Sequence, residues 1–295
     1  MNKANSLPVP KRLYKDGISL SIIGFGGIIV CKEEQKVGDR YVAEAVDRGI
    51  NYFDVAPSYF EGEAEIKQGI ALKPYRDKVF LACKTGKRDA AGARAELETS
   101  LKRAHTDHFD LYQFHAVTTD EDVKAIIGPG GAGEVFLQAK KEGKVKYLGF
   151  SAHSVEAAFA LMDAFPCDSI LFPLNFVTLS QGNFGAQILE RAKSKGVARL
   201  ALKAMAGGTW GEKETHTYDK TWYKPAEDPQ TRERALRFTL GLDISAAVPP
   251  GHYELFKEAL EIACAYKPLS AAEQKELAET AKKYTPIFKF PSDKK

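Results

Sequence analysis

Four side chains that handle protons fall at or near the ends of three successive apolar runs. Asp54 closes the apolar part of NYFDVA and Tyr59 follows it five positions later; Lys84 ends KVFLACK, and His115 ends FDLYQFH. A phenol titrates near 10, too high for rapid proton exchange at neutral pH, but an adjacent ammonium stabilises the phenolate and lowers that value. Lys84 can supply the ammonium. Asp54 would keep it charged and oriented, while His115 would position a carbonyl oxygen or pass a proton. The reaction class that uses such a set is proton transfer to a carbonyl oxygen that is becoming an alkoxide. None of the four carries a hydride, so a cofactor must. Singly, each has an ordinary reading as a turn residue, a packing ring or a solvated charge. Jointly they do not, because a charge closing an otherwise apolar run such as LACKT needs a partner if it is buried.

These residues form one site only if the runs that carry them end on one rim. Eight β-rich runs follow one another: SIIGFGG (21–27), NYFDVA (51–56), KVFLACK (78–84), FDLYQFH (109–115), VKYLGFS (145–151), SILFPLN (169–175), ARLALKA (198–204) and ISAAVPP (244–250). Several are apolar at nearly every position, as in strands covered on both faces. Segments with a 3.6-residue apolar period separate them, among them ARAELETSLKRA, SVEAAFALMDAF and GAQILERAKSKG, most closed by glycine or a basic residue. Eight such rounds without a reset predict an α/β fold, a single-domain (β/α)8 TIM barrel spanning 11–290 after an N-terminal extension, 1–10. In a barrel the C-terminal strand ends share one rim, and there the four residues converge. SAAEQKELAETAKKY predicts an extra C-terminal helix outside the barrel, and the tail PIFKFPSDKK has no clear structure. A doubly wound sheet is the alternative, but its GxGxxG turn is missing: IGFGGI contains only GxGG.

Bulk properties narrow the partners. A net charge of +3, spread along the chain, is no nucleic-acid or membrane footprint. Cys31, Cys83, Cys167 and Cys264 lie far apart, without the spacing of a metal site, and read as reduced thiols of a cytoplasmic protein. The first residues lack the apolar core of a signal peptide, and no run approaches the ~18 apolar residues of a membrane span. No metal is expected, and oligomeric state is undetermined.

The motifs also resemble a known family. GINYFDVAPSYFEGEAEIKQGI resembles the signature of the aldo-keto reductases, LACKTG their lysine strand and FDLYQFH their histidine strand, with a likeness from about residue 11 to residue 262. That resemblance implies Tyr59 as general acid in reduction and base in oxidation, tuned by Lys84 and Asp54, with His115 orienting the carbonyl. It implies NADPH, or else NADH, extended across the barrel mouth without a Rossmann fold, and an aldehyde or ketone as the small-molecule substrate. The expected cofactor positions are Gly26 and Gly27, Ser151, Lys203 near the pyrophosphate, Gly207 and Gly208 giving backbone room, and Gly251 ahead of a helix N-terminus.

Departures from the family pattern cluster at this cofactor set. The Asn that commonly follows the serine is Ala152, the Gln of the sixth strand is Leu171, and the aromatic platform after strand seven is replaced by Leu202 or Lys203. Losing a hydrogen-bonding partner there weakens binding by roughly 1–3 kcal/mol, unless His153 compensates. The usual Lys and Arg for a 2′-phosphate are missing after strand eight, where Lys257 is the nearest cation. The aromatic, polar segment 209–225 reads equally as a lid and as a structural extension. Two other readings compete with the reductase. One is a non-catalytic nucleotide-binding regulatory or interaction protein on the same fold; the other is a barrel isomerase or lyase, for which no phosphate or metal constellation is seen.

Overall fold

The computed structural model describes residues 7–291. Its centre is a sheet of eight parallel strands: β1 (Phe25–Gly26), β2 (Tyr52–Asp54), β3 (Phe80–Thr85), β4 (Phe109–Val117), β5 (Val145–Ala152), β6 (Ser169–Pro173), β7 (Ala198–Leu202) and β8 (Ala246–Val248). Each pairs with its neighbours in chain order, and a parallel bridge from Ile23 to Ala247 joins the first strand's lead-in to the last strand. The sheet therefore closes on itself as a (β/α)8 barrel, and the open doubly wound sheet is excluded.

Helices follow every strand and cover the outer face: Gln35–Asp47, Glu63–Leu72, Ala90–Arg103, the pair Asp120–Ile127 and Ala132–Lys141, Val155–Ala164, the pair Phe176–Gln181 and Ala186–Ser194, Pro229–Leu240, and Tyr253–Cys264. Local chemistry sets several starts. The side chains of Asp89, Ser154 and Asp228 accept hydrogen bonds from backbone N–H groups in the first turns of their helices. Because helices lie outside and side chains fill the inside, all six residues of FLACKT are buried. The C-terminal helix is Ala271–Ala281, opened by a capping box between Ser270 and Glu273.

Three local features differ from the sequence-based expectation. The first strand is much shorter than SIIGFGG: Ser21 ends an antiparallel hairpin, Lys11–Lys15 with Ile18–Ser21, and only Phe25–Gly26 enters the barrel sheet. Gly24 crosses the Tyr52 ring at a distance where a Cβ would lie 2.5 Å from it, so the chain bends there. Two helices are additional, Asp120–Ile127 and Phe176–Gln181, each nucleated by a capping box (Thr119 with Asp122; Asn175 with Thr178) rather than by a long apolar stripe. Finally, part of the expected extension is packed: Val9 is buried and its N–H donates to the Arg48 carbonyl. Residues 1–6 lie outside the described residues.

The hairpin seals the barrel end opposite the strand C-termini. Tyr14 is buried there, packs edge-on against Phe80 and Tyr147, and donates from its hydroxyl to Ser169 Oγ at 3.0 Å. It belongs to the apolar cluster filling the barrel interior with Leu20, Tyr52, Leu111, Leu171 and Leu200. Tyr14→Ala is expected to lower unfolding free energy by roughly 3 kcal/mol, measured by urea denaturation, because a large ring is lost from a closed end. An unchanged midpoint and slope would show that the hairpin is dispensable.

Candidate active site

Asp54 is the last residue of β2 and is buried. Beyond it the chain forms a tight 3-10 turn, Tyr59–Gly62, in which Phe60 (φ 50°), Glu61 (φ 55°) and Gly62 (φ 92°) are all left-handed. Gly62 is required twice, by its φ and because a Cβ would lie 2.3 Å from Arg103 Nη1. Arg103 is anchored in turn by buried Glu65 at 3.2 Å. Consecutive non-glycine residues in this region are costly and persist where the surroundings hold them. Here they present the Tyr59 hydroxyl to Lys84.

The four expected residues meet. Lys84 Nζ donates to Asp54 Oδ1 in a short ion pair, to the Val55 carbonyl at 3.1 Å and to the Tyr59 hydroxyl at 3.2 Å. The Tyr59 ring meets His115 edge-on, with centroids 5.7 Å apart. Two further residues hold Asp54 Oδ2 at 3.3 Å: the Tyr52 hydroxyl and Gln113 Nε2. Neither stood out in the sequence, although period-two alternation carries the signal. Tyr52 lies two positions before Asp54, Gln113 two before His115, so each shares the inward face of its strand. Ser58 Oγ lies 3.4 Å from His115 Nδ1, and Arg88 donates to the His115 carbonyl at 2.8 Å while pairing with Asp122.

Electrostatics here differ from the simple expectation for Tyr59. Burial is the largest influence and raises its pKa; the Lys84 charge opposes this, Asp54 adds to it, and the net result stays above 10. Burial alone would lower the Lys84 pKa, but Asp54 and then Tyr59 outweigh it and raise the value above its ordinary range. Lys84 is therefore firmly charged. His115 is driven to about 3 by burial, then by Lys84, Lys203 and Arg88, so its imidazole is neutral at physiological pH.

Two segments cover the mouth. Residues 206–225 form a strap: Ala206–Thr209 pairs antiparallel with Tyr223–Pro225, and the intervening loop reaches the β1 side. There Asp219 pairs with Lys32 at 2.6 Å, and Lys220 pairs with Glu33 at 2.8 Å and donates to the Ile29 carbonyl. The second segment is the C-terminal tail, which packs against the β6 side. The Phe290 N–H donates to the Gly182 carbonyl, and the Phe288 ring stacks on Phe184 and on His153.

The expected cofactor positions are distributed unevenly around this mouth. Ser151 is buried, and its hydroxyl oxygen accepts from the Ala116 N–H at 2.8 Å, which leaves its O–H free to donate. Lys203 does not lie in solvent: it is 7% exposed and its ammonium lies 3.2 Å from His153 Nε2. The side-chain faces of Gly207 and Gly208 are taken by Tyr284 and by the Thr285 carbonyl; those of Gly26, Gly27 and Gly251 meet Val248, Val55 with Gln68, and Ile28. At Gly27, Gly207 and Gly251, where an added Cβ would lie 2.5–2.7 Å from a neighbour, the absence of a side chain is thus explained by packing. Leu171 and Leu202 belong to the apolar interior cluster and Ala152 is buried, so none offers a donor to a carboxamide. Lys257 sits over the Tyr253 ring, next to an acidic first turn at Glu254. A nicotinamide dinucleotide therefore fits in part. Ser151 and the mouth rings suit it, whereas the carboxamide donors and the 2′-phosphate cations of the family pattern are missing. Among the described residues no cluster of three or more His, Cys, Asp or Glu could hold a metal, and no helix is long and apolar enough to cross a membrane.

Comparison with known proteins gives this geometry a family. The aldo/keto reductase family profile matches residues 23–285. The chain belongs to the aldo-keto reductase family. Aldo-keto reductase YhdN of Bacillus subtilis (strain 168) is 31% identical over 219 residues, covering 68% of this chain and 63% of YhdN. L-galactose dehydrogenase of Arabidopsis thaliana is 25% identical over 220 residues, 67% of this chain and 66% of that enzyme. The matched region thus spans a little under two thirds of these relatives. Among solved structures, the holo form of aldo-keto reductase AKR11C1 from Bacillus halodurans superposes with a TM-score of 0.72 at 22% identity, covering 96% of this chain and 98% of that one, a likeness of fold.

The raised Tyr59 pKa has a consequence for this aldo-keto reductase. A tyrosine that serves as general acid must be protonated to act, and a pKa above 10 would keep Tyr59 so through the neutral range. With an uncharged aldehyde, kcat/KM for reduction is expected to be flat from about pH 6 to about pH 9, falling only as pH rises through the Tyr59 pKa. A fall centred near pH 8 would show that Lys84 outweighs burial.

Proposed function

We propose that the protein is an NAD(P)H-dependent reductase that converts an aldehyde or ketone to an alcohol, with Tyr59 as proton donor. The observation that supports this most is the Tyr59 hydroxyl 3.2 Å from an ammonium that is itself locked to buried Asp54. When bound, the nicotinamide supplies the hydride to the carbonyl carbon. The chain's own groups act on the oxygen. Neutral His115, with Ser58 beside Nδ1, keeps its Nε2–H for the carbonyl oxygen and holds it near Tyr59. Tyr59 then gives its proton to the developing alkoxide, and Lys84 stabilises the phenolate that remains. In alcohol oxidation the same phenolate takes the proton back.

The proposed cofactor is NADPH, with NADH as the alternative; Ser151 and the backbone at Gly26, Gly207, Gly208 and Gly251 would line its path, with the strap and tail above it. The protein is placed in the cytoplasm, in keeping with four unbridged cysteines. A non-catalytic nucleotide-binding role is favoured by Ala152, Leu171 and Leu202, and the same experiment separates the two.

Titration with NADPH and NADH, read by nicotinamide fluorescence, is expected to show sub-millimolar binding, followed by turnover with a panel of aldehydes and ketones. Tyr59→Phe is expected to abolish turnover and leave cofactor affinity within about twofold, since only the transition-state proton is lost. Binding without turnover in the wild type would favour the non-catalytic reading. A Tyr59→Phe variant with most of its activity would show that Tyr59 is not the acid.

A further inference from the structure

We infer that Lys203 and His153 form a site for the anionic group of the substrate, so that the carbonyl compound reduced here is an oxo acid, an aldehyde or ketone that also carries a carboxylate. This rests on the reductase reading and names its substrate class.

The inference begins with charge balance at the mouth. Lys84 has Asp54, and Arg88 has Asp122. Lys203, at the C-terminal end of β7, has no carboxylate within ion-pair distance among the described residues, although it is 7% exposed. A buried cation without a counter-charge is costly. Its backbone adds to that cost, with φ at 61° in a non-glycine residue. Together these direct the ammonium to one place: 3.2 Å from His153 Nε2, 5.1 Å from the Trp222 ring centroid and 5.8 Å from that of Phe288. Phe288 also stacks on His153 at 5.0 Å. A lysine and an imidazole thus sit in a box of aromatic rings, supplied by the strap and the tail.

The box stands on the same C-terminal rim as the reacting groups, since Lys203 follows β7 and His153 follows β5. The Lys203 charge is felt by His115 as well as by His153, and Lys84 is the charge that most affects Lys203. Burial and then Lys84 bring the Lys203 amine down to about 7. Three bases, Lys203, His115 and His153, are therefore all pushed toward their uncharged forms by one desolvated, positive surrounding. A carboxylate arriving there would supply the missing negative charge, restore the lysine's proton and accept charge-assisted hydrogen bonds. A carbonyl at Tyr59 and His115 whose carboxylate reaches Lys203 would satisfy both ends.

Matched substrates test this. With NADPH, kcat/KM is compared for succinic semialdehyde against butanal and for 4-carboxybenzaldehyde against 4-methylbenzaldehyde, in wild type, Lys203→Met and Lys203→Arg. At least one acid is expected to be preferred over its neutral partner by about tenfold or more in the wild type. The acid-to-neutral ratio should fall about tenfold in Lys203→Met, mainly through KM, and recover in part in Lys203→Arg. A ratio near one in the wild type, or one unmoved by Lys203→Met, overturns the inference. A rise in NADPH dissociation constant with an unchanged ratio also overturns it, and gives Lys203 to the cofactor. Independently of turnover, benzoate titrated against the tryptophan fluorescence of the NADPH-bound protein should saturate in the wild type and fail to do so in Lys203→Met. Saturation there with no aldehyde reduced would sink the reductase reading while retaining the anion site; no saturation in the wild type would remove the site itself.

Discussion

The buried pair of Asp54 and Lys84 is the constraint around which this barrel mouth is arranged. Both side chains are almost fully excluded from water, at 2% and 1% exposure, and two charges in that setting are tolerated only with close partners. The fold provides them from two strands: Tyr52 within β2 and Val55 just past its end, and Gln113 from β4. Register makes this possible, since Asp54 pairs with Ala82 and Lys84 with Gln113 on adjacent strands. A shift of one residue in any of these strands would turn a charge outward into the helix layer. The pair therefore ties the chemistry of the site to the alignment of the barrel.

From that pair, order spreads to the turn that carries Tyr59. Three consecutive left-handed residues would be disfavoured in an isolated peptide; the third is a glycine that packs against Arg103, itself anchored by buried Glu65. The same environment that makes Lys84 a permanent cation makes Tyr59 a weak acid, because burial acts on the phenol more strongly than the ammonium does. Across the mouth, where negative charge is scarce, the identical desolvation turns His115, His153 and Lys203 toward their neutral forms. One rim thus holds a half whose charges are paired internally and a half in which Lys203 has no paired carboxylate among the described residues.

Much of this was legible in the sequence. The eight βα rounds predicted the barrel because strands covered on both faces must be apolar throughout, and Asp54, Tyr59, Lys84 and His115 stood out as exceptions at their ends. Elements without a periodic signature were harder to see. Asp120–Ile127 and Phe176–Gln181 depend on capping boxes in eight and six residues, too short to show an apolar stripe. The N-terminal hairpin blended into the first strand because KRLYK and ISLS lie next to a further apolar run, and only closure of the barrel end separates them.

The surroundings of the expected cofactor positions were not legible in the sequence, for a different reason. Gly27 and Gly251 look like loop glycines open to a ligand, yet their contacts are with Val55, Gln68 and Ile28, partners distant in the chain. Lys203 could equally have pointed to solvent; its direction is decided by His153, Trp222 and Phe288, from two other segments and a tail that has no regular structure. By itself the sequence determined the barrel, the four residues at its rim and the order of the strands that carry them. Apolar periodicity and strand-end position are local properties, written in consecutive residues. Tertiary structure alone decided which charges are balanced, which glycines are packed and what covers the mouth, because those depend on groups brought together only when the sheet closes.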